Sequence, residues 1–530
     1  MVAHSRFLIC LLSLTCLLVV SGVAPASGDS VLPENKVPGW IESSARRLAN
    51  NLTHDGYQVA RGYFKLYTLD DCAASYAAVG TCHGNNSAAP YVEPVVPPWP
   101  GEFVDAASNN AFGLTKAGYR TTWRFDPREA IVILAQMPPP AAYFGLQTYL
   151  FSRQGTYDVT SPTYQWFAAN VPMIMPLYFH TLPLNAKRIM TIDSLSNATN
   201  NVVIEKQSGA AFDQRRYFII TPDRHMDGVV RQELHNIGIA DKDIFTEPIP
   251  GNMRTGLGEE ADEFAAPFIR YAMPVDGGGS GTPSEQWRKD LPLVVLRVRE
   301  TGTQRQPVTY PPVELEIRTA AAESGLRPNL ASLLQAVATH WGQPCGASDC
   351  SDRATPFLAM QPPPLSFVGP LCEAIGMDCA GDTQDAAYWI SARTLPLDTN
   401  MVYAVAGTLG TKTDNATYVA LGANDSVYAK GVANVSDTLL AGTAKPYAAG
   451  GADYDKLYVW YFARSCAGLE TLAGGNCTEI TPDMIPVCDA AHPGCARFGI
   501  TQRNYIRPGT QRGPDAELLL QPVVIPLRHP

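Results

Sequence analysis

The stretch Trp123–Arg153, "WRFDPREAIVILAQMPPPAAYFGLQTYLFSR", sets the fold class. Ile131–Leu134 is a β-branched run, Pro138–Pro140 forces a break, and Tyr143–Phe151 is again rich in strand formers. Two strands joined by a proline turn are predicted. The second strand carries Tyr143, Gly145, Gln147, Tyr149 and Phe151 on one side and Phe144, Leu146, Thr148 and Leu150 on the other. Apolar bulk on both sides predicts a central strand.

The pattern returns downstream in "LDTNMVYAVAGTLGTKTDNATYVALGAND", Leu397–Asp425. With Asp126 placed on Asp398, Ala130–Leu134 falls on Val402–Ala406. Ala142–Leu146 then falls on Thr417–Leu421, and "FDQRRYFIITPDR" (212–224) falls loosely on "YDKLYVWYFARS" (454–465). The shared order predicts an ancient duplication of a β-rich unit. The fold expected is mainly β with helical insertions (β-rich α+β), in two β-sandwich-like units. The divisions are a signal peptide (1–26), an irregular arm with a cystine loop (27–110), a first β-rich domain (111–300), a helical and cystine-containing connector (301–395) and a second β-rich domain (396–530). A helix is predicted over 327–341, where Leu330, Leu333, Leu334, Val337 and Trp341 share a face. "EEADEFAAPFIRYAM", from Glu259, reads as a helix interrupted by Pro267.

The first residues carry Arg6, an uncharged apolar run from Phe7 to Val20, and the small triplet Ala24-Pro25-Ala26. This is the pattern of a secretory signal peptide, too short for an ordinary membrane span. A secreted or secretory-lumen protein with no stable membrane insertion is expected. Ten cysteines outside that leader form neighbouring pairs: Cys72/Cys82, Cys345/Cys350, Cys372/Cys379, Cys466/Cys477 and Cys488/Cys495. Five short-range disulfides are predicted, and zinc–thiolate binding is disfavoured because no C-x-x-C occurs. Glycan acceptors of the N-x-S/T kind are assigned at Asn50, Asn85, Asn197, Asn415, Asn424, Asn434 and Asn476, all expected to face solvent. The net charge of −10 excludes a broad basic surface for nucleic acid or anionic membrane.

"RRYFIITPDRHMDGVVRQELHNIG" (215–238) reads as a strand, a turn and a helix ending at Gly238. Asp227, Arg231 and His235 then form a solvated ladder four residues apart. His225 and His235 do not have the H-E-x-x-H spacing of a zinc helix. No serine-elbow, phosphate-loop or dinucleotide motif occurs, so no cofactor or metal is expected. Glu129, Glu233, Glu259, Glu260 and Glu263 offer no spacing that marks two as a glycosidase pair. The acidic groups at Asp241–Asp243 and Glu259–Glu263 lack a calcium-loop order. The residues assigned to a ligand site are Gln147, Tyr149, Arg153, His180, Asp223 and His225. The function expected is binding of an extracellular ligand or partner, with a secreted glycoside or ester hydrolase as the alternative. A buried carboxylate of raised pKa beside His180 or His225 in an interdomain cleft is the mark that favours the enzyme.

Overall fold

The computed structural model describes residues 35–170, 175–302, 305–360, 369–448, 452–487 and 496–530. The described residues belong to one compact unit. The architecture is β-rich α+β, with three sheets and helices on their outer faces.

The N-terminal half runs α1 (Gly39–His54), β1 (Tyr57–Arg61), β2 (Tyr63–Leu66), β3 (Val92–Val95), β4 (Glu129–Gln136), β5 (Ala141–Gln154), β6 (Asn185–Ser194), β7 (Arg215–Thr221), α2 (Arg224–Asn236), β8 (Ile244–Pro248), β9 (Glu263–Pro274) and β10 (Leu293–Glu300). One sheet has the order β1-β10-β4-β7-β8 and the next contains β2-β3-β9-β5-β6. Their facing sides share one core, in which Ile131, Ile133, Phe218 and Val295 of the first sheet meet Phe144, Leu146, Phe264 and Ile269 of the second. The other face of the first sheet is covered by α1, through Ile41, Ala45, Leu48 and Leu52, and by α2, through Met226, Val230 and Leu234. Both helices carry apolar residues at three- and four-residue intervals, which is why each buries one stripe.

The C-terminal half runs α3 (Arg327–His340), β11 (Thr355–Ala359), β12 (Ala386–Ser391), β13 (Met401–Thr408), β14 (Tyr418–Asp425), β15 (Lys430–Ser436), β16 (Leu457–Ala463), β17 (Cys477–Glu479), β18 (Phe498–Tyr505) and β19 (Val523–Arg528). They form one sheet, β15-β14-β18-β12-β11-β19-β13-β16-β17. β11 joins its two arms, pairing with β19 through Thr355–Pro356 and with β12 through Phe357–Ala359. The arms share a core of Tyr403, Val405, Trp460 and Phe462 against Val419, Leu421, Phe498 and Ile500. α3 covers the outer face with Leu330, Leu333, Leu334 and Val337.

The strand pairings of the two halves coincide. The arm β10-β4-β7-β8 matches β19-β13-β16-β17, and β3-β9-β5-β6 matches β12-β18-β14-β15. In each half the pair that closes the first arm, β7·β8 or β16·β17, is parallel. The register agrees with the sequence alignment: Ile133 lies opposite Phe218, and Val405 opposite Trp460. Asp126 and Asp398 each cap the turn before the leading strand, accepting the N–H of Arg128 (2.9 Å) and of Asn400 (2.8 Å). Where β11 crosses between arms, the N-terminal half breaks the crossing into β1 and β2 at Gly62. A Cβ there would lie 2.2 Å from the Val95 carbonyl oxygen, so the close approach requires glycine.

Three expectations are corrected. Residues 27–110 are not an irregular arm where they are described, because α1, β1, β2 and β3 build both sheets of the N-terminal half. The 301–395 connector likewise supplies α3, β11 and β12 to the C-terminal half. The helix expected from Glu259 is strand β9. Pro267 falls within the register shift between Ala265 and Phe268, and a bulge is a place where a strand accepts proline. Four disulfides form as paired: Cys72–Cys82, Cys345–Cys350, Cys372–Cys379 and Cys466–Cys477. Cys488 and Cys495 lie outside the described residues, as do the leader and its cleavage triplet.

Candidate functional site

The halves meet through Tyr143 and Ala272 on one side and Tyr388, Tyr418, Ala420 and Tyr505 on the other. Beside this contact each cystine loop docks onto the opposite half. Cys82 N–H donates to Tyr428 O (2.7 Å) and Gly84 N–H to Ala429 O (2.7 Å). In the matching place, Cys379 N–H donates to Thr191 O (3.0 Å) and Gly381 N–H to Ile192 O (3.2 Å). Both loops read Cys-x-Gly with left-handed backbone at x and Gly: His83 φ 61°, Gly84 φ 54°, Ala380 φ 53°, Gly381 φ 69°. The loop exits follow suit, with Asn86 donating to the Tyr418 hydroxyl (3.3 Å) and the Tyr143 hydroxyl donating to Asp385 (3.1 Å).

Between the loops and the sheets lies a cavity of about 520 Å³. Its walls include Arg270, Arg393 and Arg503, the rings of Tyr91, Tyr388 and Tyr505, and His83, His180 and Asp378. Arg270, on β9, is 3% exposed. Its Nη2 donates to the Tyr149 hydroxyl (2.7 Å), and the guanidinium lies over the Tyr91 ring at 5.2 Å and near the Tyr149 ring at 5.7 Å. Its Nη1 is buried without a hydrogen-bond partner among the described residues. Among the described residues Arg270 makes no ion pair. A buried guanidinium without a counter-ion carries a desolvation penalty that ring faces offset only in part.

Asp378 is the one carboxylate among the described residues lining the cavity. Burial, with Asp382 nearby, pushes its carboxyl well above the ordinary range. Its Oδ2 lies 3.3 Å from His180 Nε2. His180 Nδ1 is 3.1 Å from the Pro176 carbonyl, which only accepts, so Nδ1 carries the proton and Nε2 faces the acid. Burial holds this imidazole below its usual pKa. His83 is fixed in the same way. Its Nε2 lies 2.7 Å from the Ala111 carbonyl, its ring stacks on Phe112 at 4.2 Å, and Nδ1 has no partner. Ser75 Oγ, 3.1 Å from the same Nε2, faces the protonated nitrogen, so this pair is no nucleophile–base unit.

Of the six residues assigned to a ligand site from sequence, His180 alone lines the cavity. Tyr149 stands behind it, holding Arg270. Gln147 is fully buried and donates to Ser196 O (2.9 Å). Arg153 is clamped by Asp262 (2.8 and 2.7 Å) and by Glu373. Asp223 caps α2, accepting His225 N–H (3.1 Å), and pairs with Arg305. His225 is exposed on α2, which covers the outer face of the first sheet, away from the cavity. His235 is exposed beside Asp241 (3.4 Å), in the expected ladder with Arg231.

The carboxylate candidates have other partners. Glu129 binds Arg297, Glu233 accepts from Asn51, Glu263 accepts from Ser108, Thr122 and Ser152, and Glu259 and Glu260 are exposed. The glycan triplet assigned to Asn50 begins at Asn51, whose Nδ2 donates to Glu233 (3.0 Å). Asn85, Asn415 and Asn424 are buried rather than solvent-facing. The Asn415 amide donates to Ala321 O (3.0 Å) and Glu323 (3.0 Å).

Asp193, Cys372 and Cys379 bring potential metal-ligand atoms within 4.8 Å of one another. Both sulfurs are joined in the disulfide, which leaves Asp193 alone able to ligate in this state. A second depression, around Arg224, Tyr310 and Asn252, is open to solvent, and its cation already lies over the Tyr310 ring at 5.3 Å.

The cavity residues Arg270, Arg503, Tyr91 and Asp378 lie in four separate segments of the chain and form no motif. The signal within reach was the alignment of the halves, since it sets Arg270 and Arg503 opposite aligned strand positions.

No family model matches the chain, and no curated protein matches it. Among solved structures, a putative uncharacterized protein from Burkholderia cenocepacia shares 10% identity, covering 92% of this chain and 87% of its own, at TM-score 0.33. The VPA0106 protein from Vibrio parahaemolyticus shares 8% identity, covering 92% of this chain and 96% of its own, at TM-score 0.30.

Proposed function

We propose that this is a secreted, disulfide-bonded binding protein that takes a small organic anion into the cavity between its halves. The observation that carries the reading is Arg270: a buried guanidinium on the cavity wall, surrounded by tyrosines and without an ion-pair partner among the described residues. An anion would supply the missing counter-charge, and Tyr91 and Tyr388 would flank it. The leader pattern and the four cystines support passage through an oxidising secretory route. If glycans are attached, the half-exposed Asn197, Asn434 and Asn476 are better acceptors than the buried triplets. The coincident strand pairings support an ancient duplication into two sandwich-like units, with the ligand site created where the copies met.

The test is thermal stability with benzoate and with its neutral analogue benzyl alcohol. Benzoate is expected to raise the Tm of the wild type in a concentration-dependent way, and benzyl alcohol is not. Arg270→Gln should abolish the benzoate effect. Equal shifts with the two compounds, or an undiminished shift in Arg270→Gln, would refute an anion site.

The His180–Asp378 pair favours a second reading, a secreted hydrolase of ester or glycosidic bonds. Asp378, whose carboxyl burial shifts toward the protonated form, could serve as a general acid toward a ligand in the same cavity. In that case Asp378→Asn removes turnover of an ester or glycoside panel while benzoate binding persists. Absence of turnover in the wild type across that panel leaves the binding reading.

A further inference from the structure

Arg270 has a counterpart. Arg270 on β9 lies opposite Gly145 on β5, and Arg503 on β18 lies opposite Ala420 on β14. Gly145 and Ala420 are aligned positions of the two halves. On the other side, β3 pairs Val92 with Ile269, which places Tyr91 beside Arg270, and β12 pairs Tyr388 with Arg503. Each guanidinium lies over its own half's tyrosine, Arg270 over Tyr91 at 5.2 Å and Arg503 over Tyr388 at 5.7 Å. The same arginine–tyrosine unit therefore occurs twice, and all four residues line one cavity.

Arg503 is 7% exposed, donates to Thr501 Oγ1 (2.9 Å) and to the Gly84 carbonyl (2.7 Å), and among the described residues makes no ion pair. Its partners are neutral, so its charge is uncompensated. The two cations are close enough that Tyr91 and Tyr388 each sense both. Burial raises both phenols above their ordinary pKa, so neither supplies a negative charge at neutral pH. Two like charges are thus held in one largely buried chamber, where burial pushes the carboxyl of Asp378, the one lining carboxylate among the described residues, well above its ordinary range and so disfavours its charged form.

From this juxtaposition we infer that the ligand is a dianion with two separated carboxylates, one for Arg270 and one for Arg503, its carbon skeleton lying between Tyr91 and Tyr388. The inference rests on the anion reading above and specifies it. A guanidinium contributes parallel donors to a carboxylate, and each desolvated pair of this kind is worth tenfold or more in affinity.

The test uses calorimetry on the wild type with glutarate and adipate, their monocarboxylate partners butyrate and hexanoate, and inorganic phosphate as a compact multiply charged anion. At least one dicarboxylate is expected to bind tenfold or more tightly than its partner and than phosphate. Arg503→Gln should reduce that dicarboxylate to the affinity of the monocarboxylate, whose own binding stays within about twofold. Arg503→Lys, which keeps the charge, should retain part of the difference. That rescue separates charge recognition from a general disturbance of the loop at Gly84. If mono- and dicarboxylates bind equally, or phosphate binds most tightly, the two-ended ligand is wrong while the anion site stands. If none of the probes binds, the two-ended ligand is wrong, and the anion site falls with it only if benzoate also fails to raise the Tm.

Discussion

The two halves place the same strands in the same order yet fill equivalent positions with different chemistry. In the N-terminal half, Arg297 on β10 is fully buried opposite Ile131. It donates to Glu129 (2.6 Å) and Glu102 (2.9 Å) and to the carbonyls of Pro97 and Arg124. The aligned positions in the C-terminal half are Pro526 for Arg297 and Met401 for Glu129. One half thus closes the end of its core with an ion-pair network, the other with apolar and proline residues. At the cystine loops His83 stands where the other half has Ala380, both in left-handed backbone. The strand plan therefore does not depend on either chemistry. The pairing register and the two apolar faces of each arm carry it, and the polar positions are free to differ.

The largest break in this comparison is expected at Arg297. Arg297→Met leaves Glu129 and Glu102 buried without their cation and should cost about 3–5 kcal/mol in urea unfolding. Burial already raises the Glu129 carboxyl to about 7 even with Arg297 beside it, so the orphaned acid takes up a proton rather than stay charged. The double change Arg297→Met/Glu129→Met makes the pair apolar, with the methionine that Met401 supplies in the C-terminal half, and should recover part of the loss. If the double variant is no more stable than the single one, the network is not exchangeable for apolar packing and the halves differ more deeply than their strands suggest.

A smaller and more even effect is expected at the helix layer. Leu48 of α1 and Leu333 of α3 are both fully buried against the outer face of a first arm. Each truncation to alanine should cost about 2–4 kcal/mol, the range for a leucine cavity in a packed core. Similar values would show that the two helices serve their sheets alike. A loss below about 1 kcal/mol at only one site would show that one half tolerates loosening of that layer.

These elements differ in how far they could be read beforehand. α3 and the strands β4, β5 and β7 announced themselves by periodicity and β-branched runs, and four cystines by the closeness of their cysteines. The alignment of Ile131–Leu134 with Val402–Ala406 agreed with the pairing register because both are buried strands with the same apolar run. The strand β9 did not announce itself. Acidic and alanine residues around Pro267 imitate a helix, and only the partner strands on either side settle a bulged strand. The site was less legible still. Arg270 sits in that misread strand, Arg503 in a segment with no distinguishing composition, and what unites them is pairing across the chain. Asp223 and His225 drew attention as a polar cluster after a strand, but the aspartate's role is to cap the helix and hold Arg305.

The smallest effect expected, and the one that sharpens the comparison most, is at His83. Burial lowers its pKa from 6.5 to about 4, partly opposed by the hydrogen bond to Ala111 and reinforced by His180 nearby. The folded protein therefore keeps this imidazole neutral where the unfolded chain takes up a proton. The unfolded state binds more protons between pH 6.5 and 4, so this contribution to stability is complete above pH 6.5 and is lost as the pH falls toward 4. His83→Ala gives the N-terminal loop the side chain of its counterpart at Ala380 and removes that dependence. At pH 7 the variant should be about 1–2 kcal/mol less stable than the wild type, having lost the stack on Phe112 and the bond to Ala111. At pH 4.5 the gap should close or reverse, because only the wild type still carries the cost of a histidine that the fold keeps neutral, about 2–3 kcal/mol at that pH. Urea midpoints for the two proteins at both pH values decide it. A gap that stays constant from pH 7 to pH 4.5 would mean that His83 is protonated as easily in the folded loop as in the unfolded chain, and the asymmetry between the loops would then be one of packing alone.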